Sequence, residues 1–169
     1  MLALDVSGSM GMGQVAGVPG LTPRVGSAAM AMVTYKVEPT VSVVAFQDKI
    51  TPIDISRRKR LDDVVQSISN LPFGRTDCAQ PMLWALKEKV EADVFVIYTD
   101  SETWYGDIHP SQALRDYRQK TGIAARLVVV GMVSSGFTIA DPNDAGSMDV
   151  VGFDTSAPEV IRQFAAGLV

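Results

Sequence analysis

The stretch "DVFVIYTD", residues 93–100, is apolar from Val94 to Tyr98 without a break and ends on an acid. A strand with one wet face alternates apolar and polar residues. A strand covered by helices on both sides does not, so this run reads as a strand of a parallel sheet covered on both faces. Three further runs share the pattern: "MLALDV" (1–6), "TVSVVAF" (40–46) and "ARLVVVGM" (125–132). "DVVGF" (149–153) is a weaker fifth. "KITPIDI" (49–55) alternates and holds Pro52, which confines it to a sheet edge.

Helices are predicted between the strands, over 22–37, 60–71, 79–90, 110–122 and 157–169. Thr22 before Pro23 is an N-cap followed by a first-turn proline. Apolar residues at 61, 64, 65, 68 and 71 have helical spacing, and Gly122 is a stop signal. The alternation predicts an α/β fold in one domain spanning 1–169. Its central sheet is doubly wound and mostly parallel, with one antiparallel edge strand and helices on both faces.

Composition narrows the function. The chain has 169 residues, 47% hydrophobic, which suffices for a core. Its net charge of −4 argues against a free-standing nucleic-acid binder, although a local basic patch stays open. A single cysteine, Cys78, excludes an intrachain disulfide and a cysteine-based zinc site, and fits a cytoplasmic chain. No apolar run approaches the roughly 20 residues of a membrane span, so no membrane partner is expected. The start has no basic leader and opens inside a strand, as expected for a fragment of a longer protein.

In a parallel sheet, ligands bind beyond the carboxyl ends of the strands. Asp5 ends the first strand and Asp100 ends the 93–99 run. Ser7 and Ser9 follow Asp5 at alternate positions, with Gly8 expected to let the backbone turn tightly. Thr76, in "GRTD" (74–77), precedes a helix that should start on the same edge. Two carboxylates and three hydroxyls are hard donors. They suit Mg²⁺ first, with Mn²⁺ or Ca²⁺ as alternatives, rather than Zn²⁺. With so few carboxylates the cation stays electrophilic and can accept an acidic side chain from a partner protein. The competing reading is a polar rim that caps helix N-termini.

Asp5-Val6-Ser7-Gly8-Ser9, Thr76 and Asp100 resemble the D-x-S-x-S…T…D metal-ion-dependent adhesion site of von Willebrand factor type A domains. More narrowly, five segments are similar to the C-terminal domain of the Ro ribonucleoprotein (TROVE) family. They are "FGRTDCAQPMLWAL" (73–86), "ADVFVIYTDSET" (92–103), "HPSQALRDYR" (109–118), "GFTIADPNDAG" (136–146) and "FDTSAPEVIRQF" (153–164). The resemblance implies a metal site of Asp5, Ser7, Ser9, Thr76 and Asp100. Ser7 and Ser9 would bind directly, Asp5 and Asp100 often through water, and Thr76 would join or leave with conformation. It implies a non-catalytic, protein-binding module. It also implies a remainder of the same chain, a helical-repeat ring that binds small noncoding RNA in RNA quality control. The sequence departs from the family pattern at Arg75, where glycine is commoner, and in the loop "GMGQVAGVPGLTPR" (11–24). A cation at Arg75 is expected to weaken metal affinity or reshape the ligand surface.

Other residues have two readings. Asp77 is a helix-start acid or a support behind the metal ligands. Trp104 and Tyr105 are interface anchors on the rim, or Trp104 folds back on the core. Arg57, Arg58, Lys59 and Arg60 form a solvated loop or an RNA contact. His109 reads as a cap and Cys78 as a small buried residue. "GMGQVA" (11–16) mimics a dinucleotide fingerprint, but Gly17, Pro19 and Gly20 stop a helix from opening there, and a flexible loop is expected. Phosphoryl transfer on Asp5 is disfavoured because Ser7 stands where a second aspartate is usual. A packing domain with a vestigial metal site is the remaining alternative.

Overall fold

In a computed structural model of the chain, residues 1–72, 74–100, 105–133 and 139–169 are described. The strands are β1 (Leu2–Asp5), β2 (Val43–Phe46), β3 (Ile50–Pro52), β4 (Val94–Thr99), β5 (Arg126–Gly131) and β6 (Ser147–Val151). The helices are α1 (Pro23–Val37), α2 (Leu61–Ser69), α3 (Gln80–Lys87), α4 (Pro110–Thr121) and α5 (Ala157–Ala165). The strands form one sheet in the order β3-β2-β1-β4-β5-β6. Every pairing is parallel except β2 with β3, so the edge strand containing Pro52 is the antiparallel one.

The uninterrupted apolar runs divide between two cores. Leu2, Leu4, Val96, Tyr98, Val128 and Val130 face α1, α2 and α5. Ala3, Phe95, Ile97, Leu127 and Val129 face α3 and α4. Each fully buried side chain of this size contributes about 1.5–3 kcal/mol relative to exposure. Met30, Met32, Met82 and Met132 are all buried in these cores, as their sequence positions suggested.

Caps set the helix ends. Thr22 Oγ1 accepts from the Val25 N–H at 3.4 Å. Gly122, at φ 75°, closes α4 and donates its N–H to Arg118 O at 2.9 Å. Two helices end earlier than their apolar patterns suggested. α3 stops before Lys89, which adopts φ 57°, and α5 stops before Gly167 at φ 74°. Left-handed residues terminate the helical ladder whatever the hydrophobic spacing beyond them. β6 lies two residues earlier than the 149–153 run, because the backbone turns at Gly152, φ 84°, beneath Ala16 O. The 11–24 loop opens no helix until Pro23, but it is not free. Val15 is buried, Val15 and Val18 form a bridge, and the Ala16 N–H donates to Met132 O at 2.9 Å.

Candidate metal centre

The site begins where the ladder of β1 ends. Asp5 lies opposite Phe46 of β2, and its side chain is fully buried. Oδ1 of Asp5 accepts from the Ser7 N–H at 2.8 Å. Oδ2 accepts from the Thr99 hydroxyl at 2.7 Å and from the Thr76 hydroxyl at 3.5 Å. One carboxylate thus gathers donors from three segments. The chain then enters a 3₁₀ turn over Gly8–Gly11, which presents Ser9 beside Ser7. The Ser7 and Ser9 Oγ atoms are 3.2 Å apart. Ser9 Oγ donates to Asp100 Oδ1 at 3.1 Å, across 91 residues of sequence.

Gly8 does not have the role expected of it. Its φ is not in the left-handed range, and a Cβ there would meet nothing within 4 Å. The turn is held by the Asp5 carboxylate gripping the Ser7 N–H instead.

Two participants have no place in the motif. Thr99, the last residue of β4, gives Asp5 its shortest hydrogen bond. Arg24, in the first turn of α1, donates from Nη2 to Ser7 O at 3.1 Å and from Nη1 to Ser69 Oγ of α2 at 3.5 Å. It ties the serine turn to two helices. A signal for Arg24 exists in the sequence, since a helix following β1 must begin at the carboxyl edge of the sheet.

Burial raises the pKa of Asp5 above the usual carboxylate value, against the hydrogen bonds from Thr99 and Ser7, and the charge of Asp100 adds to the rise. Burial also raises Asp100, opposed by the Ser9 hydroxyl and the Arg24 charge. Both carboxylates therefore hold their charge less readily than exposed ones do. Among the described residues, no three or more His, Cys, Asp or Glu side chains cluster for a metal, so a cation here would depend on the hydroxyls. The separation of the two serine oxygens fits that: 3.2 Å is close to the edge of about 3 Å between adjacent oxygens of an octahedron with ~2.1 Å bonds. The donor set suits Mg²⁺ or Mn²⁺, and the longer bonds of Ca²⁺ require the oxygens to spread.

Around this centre, Asp77 is buried and committed to the start of α3. Its Oδ1 accepts from the Ala79 N–H at 3.0 Å and its Oδ2 from Gln80 Nε2 at 2.8 Å. Arg75 is exposed, with its guanidinium 4.7 Å from the centre of the Tyr105 ring. The Tyr105 N–H donates to Thr76 O at 3.3 Å. A cleft of about 350 Å³ opens beside them, lined by Asp77, Tyr105, Gly106 and Asp107. Trp104 lies outside the described residues. His109 caps α4, its Nδ1 accepting from the Ser111 N–H at 3.2 Å. Cys78 is fully buried, and burial pushes its thiol far above the ordinary range.

The basic run is elsewhere. Because β3 runs antiparallel to β2, it carries the chain away from the carboxyl edge, and the Ile53 N–H meets Val43 O at the start of β2. Arg57, Arg58 and Arg60 are exposed near the opposite end of the sheet, while Lys59 pairs with Asp54 at 3.1 Å.

A sheet in this order, with an acid-and-hydroxyl turn closing β1, is the architecture of a von Willebrand factor type A domain. Within that class, the family model described as the Ro60 vWA domain matches residues 1–165, and the chain belongs to that family. It is 49% identical over 169 residues to "RNA-binding protein RO60" of Deinococcus radiodurans, covering 100% of this chain and 32% of the relative. It is 41% identical over 169 residues to "RNA-binding protein RO60" of Caenorhabditis elegans, covering 99% of this chain and 26% of the relative. The crystal structure of the Deinococcus radiodurans RO (RSR) protein superimposes with a TM-score of 0.91 at 49% identity. That match covers 99% of this chain and 34% of the other. The chain thus spans about a third or less of the length of these relatives. Among the described residues, no helix is long and apolar enough to cross a membrane.

Proposed function

We propose that this chain is a non-catalytic, divalent-cation-dependent binding module of an RNA-binding protein. Asp5, Ser7, Ser9, Thr76 and Asp100 would hold Mg²⁺ or Mn²⁺, and the cation would attract an acidic side chain of a protein partner. Ser7 and Ser9 would be the cation's direct ligands. Asp5 keeps the Ser7 turn, Thr76 and Thr99 in place, and Asp100 sets the position of Ser9. RNA contact falls mainly to the portion of the relatives that this chain does not span.

The observation that carries the reading is the 3.1 Å contact from Ser9 to Asp100. It joins the serine turn to the end of β4 and sets two metal-compatible oxygens side by side. Aspartyl-phosphate chemistry is a poorer fit, because both oxygens of Asp5 are engaged by Ser7, Thr76 and Thr99. Calorimetric titration with Mg²⁺ and Mn²⁺ tests the reading. The wild-type chain is expected to give saturable heats that a Ser7→Ala, Ser9→Ala double variant lacks. Indistinguishable heats refute metal binding at this site.

A further inference from the structure

The surface beside the metal centre holds a cation that the metal reading does not use. We infer that Arg75 and Tyr105 form a second subsite, which binds an additional carboxylate of the same ligand. The partner segment therefore carries two acidic side chains close together, one for the cation and one for Arg75. This inference rests on the metal-dependent reading above.

Three features converge on it. Arg75 is exposed and makes no hydrogen bond or ion pair with any described residue. Its guanidinium is nevertheless held, 4.7 Å from the Tyr105 ring centre. A guanidinium held over an aromatic face keeps N–H donors for a carboxylate, and being held lowers the ordering cost of binding.

The subsite is also tied to the metal set. Arg75 directly precedes Thr76, and the Tyr105 N–H donates to Thr76 O at 3.3 Å. Adjacent Cα atoms are about 3.8 Å apart. Thr76 turns to Asp5 while Arg75 lies over Tyr105, so one short extended segment can reach both.

The surroundings select a discrete carboxylate over a nucleic-acid strand. Asp48 lies against Gly74, Asp77 and Asp107 line the adjoining cleft, and the whole chain carries −4. These acids oppose any anion, and the opposition grows with the ligand's charge, so a short peptide with two carboxylates is repelled less than a polyphosphate strand.

The test uses the 169-residue chain and three capped peptides: Gly-Glu-Gly-Glu-Gly, Gly-Glu-Glu-Gly and Gly-Glu-Gly-Gln-Gly. Each is titrated in Mg²⁺ and followed by NMR, including the Arg75 Nε–H resonance. The tighter diacidic peptide is expected to bind about tenfold better than the monoacidic one, the worth of one charge-assisted contact. It should also shift the Arg75 signal. Arg75→Ala should abolish the preference, and Arg75→Lys should restore only part of it, while saturable Mn²⁺ binding persists in both variants. If the peptides bind with the same preference in Arg75→Ala, the subsite is overturned and the metal reading stands. If the wild type shows no Mn²⁺ heat, the metal reading fails and takes the subsite with it. If Mn²⁺ binds but no peptide does, both the acidic-partner role and the subsite are refuted. Binding of a uridine oligonucleotide that depends on Arg75 would reassign the surface to RNA and overturn the proposal.

Discussion

Asp5→Asn separates metal binding from packing. The substitution removes the charge and keeps the shape. The amide oxygen can accept from the Ser7 N–H, and the amide NH₂ faces the Thr99 and Thr76 hydroxyls, which can rotate to accept. Burial raises the Asp5 pKa, so the ionised form is disfavoured in the folded chain. In EDTA near neutral pH, the variant should therefore melt at or above the wild-type temperature. That advantage is complete above the folded-state pKa. It vanishes as acid takes Asp5 below its unfolded value, where the side chain is neutral in both states. Asp5→Ala behaves differently, leaving the buried Ser7 N–H without its acceptor at a cost of about 1–3 kcal/mol. With Mg²⁺ at a hundred times its Kd, linkage stabilises the wild type by about 2.7 kcal/mol. For a domain of this size that raises the melting temperature by about 5–10 °C, and Asp5→Asn should show no such rise. Thermal melts in EDTA and in saturating MgCl₂ measure both effects. An equal Mg²⁺ response in Asp5→Asn, or an EDTA loss as large as that of Asp5→Ala, refutes the reasoning.

Three further outcomes are expected. Tyr117 donates to Val90 O and accepts from the Ala92 N–H, both at 2.8 Å, while its ring meets Phe95 edge-on at 5.0 Å. Tyr117→Phe keeps the ring contact but strands two backbone groups, so urea denaturation should show a loss of about 2 kcal/mol. At Asp144, burial alone would raise the pKa, but the Ser147 hydroxyl, the Gly146 N–H and Arg118 together hold it below the usual value. Its stabilising contribution is present above the unfolded pKa and fades as pH falls through the folded one. Between about pH 6 and pH 3 the wild type should therefore lose more stability than Asp144→Asn in denaturant melts. Changing Arg57, Arg58, Lys59 and Arg60 to serine should leave the Mg²⁺ heat untouched, because that run lies away from the carboxyl edge. Filter binding of RNA at two salt concentrations reports whether the run contributes there, and a changed Mg²⁺ heat would contradict this placement.

Most of the fold was legible because burial leaves a local record. A strand covered on both faces needs an unbroken apolar run, and 94–98 and 127–130 supply it. Pro52 marked the antiparallel edge because proline cannot donate to a ladder. Helix ends were less legible, since apolar spacing continues past Lys89 and Gly167 while the backbone there turns left-handed.

At the candidate centre, local spacing named the oxygens of Asp5, Ser7, Ser9, Thr76 and Asp100 without showing how they connect. Strand order set β1 beside β4, and so brought Ser9 to Asp100 and Thr99 to Asp5. Helix packing brought Arg24 onto the Ser7 carbonyl, and strand direction carried the basic run away from the rim. Residue type and spacing belong to neighbours along the chain, so the sequence by itself determined the class of fold and the chemistry of the donors. Which donors meet depends on pairings between segments up to 94 residues apart, and only the tertiary structure decided that.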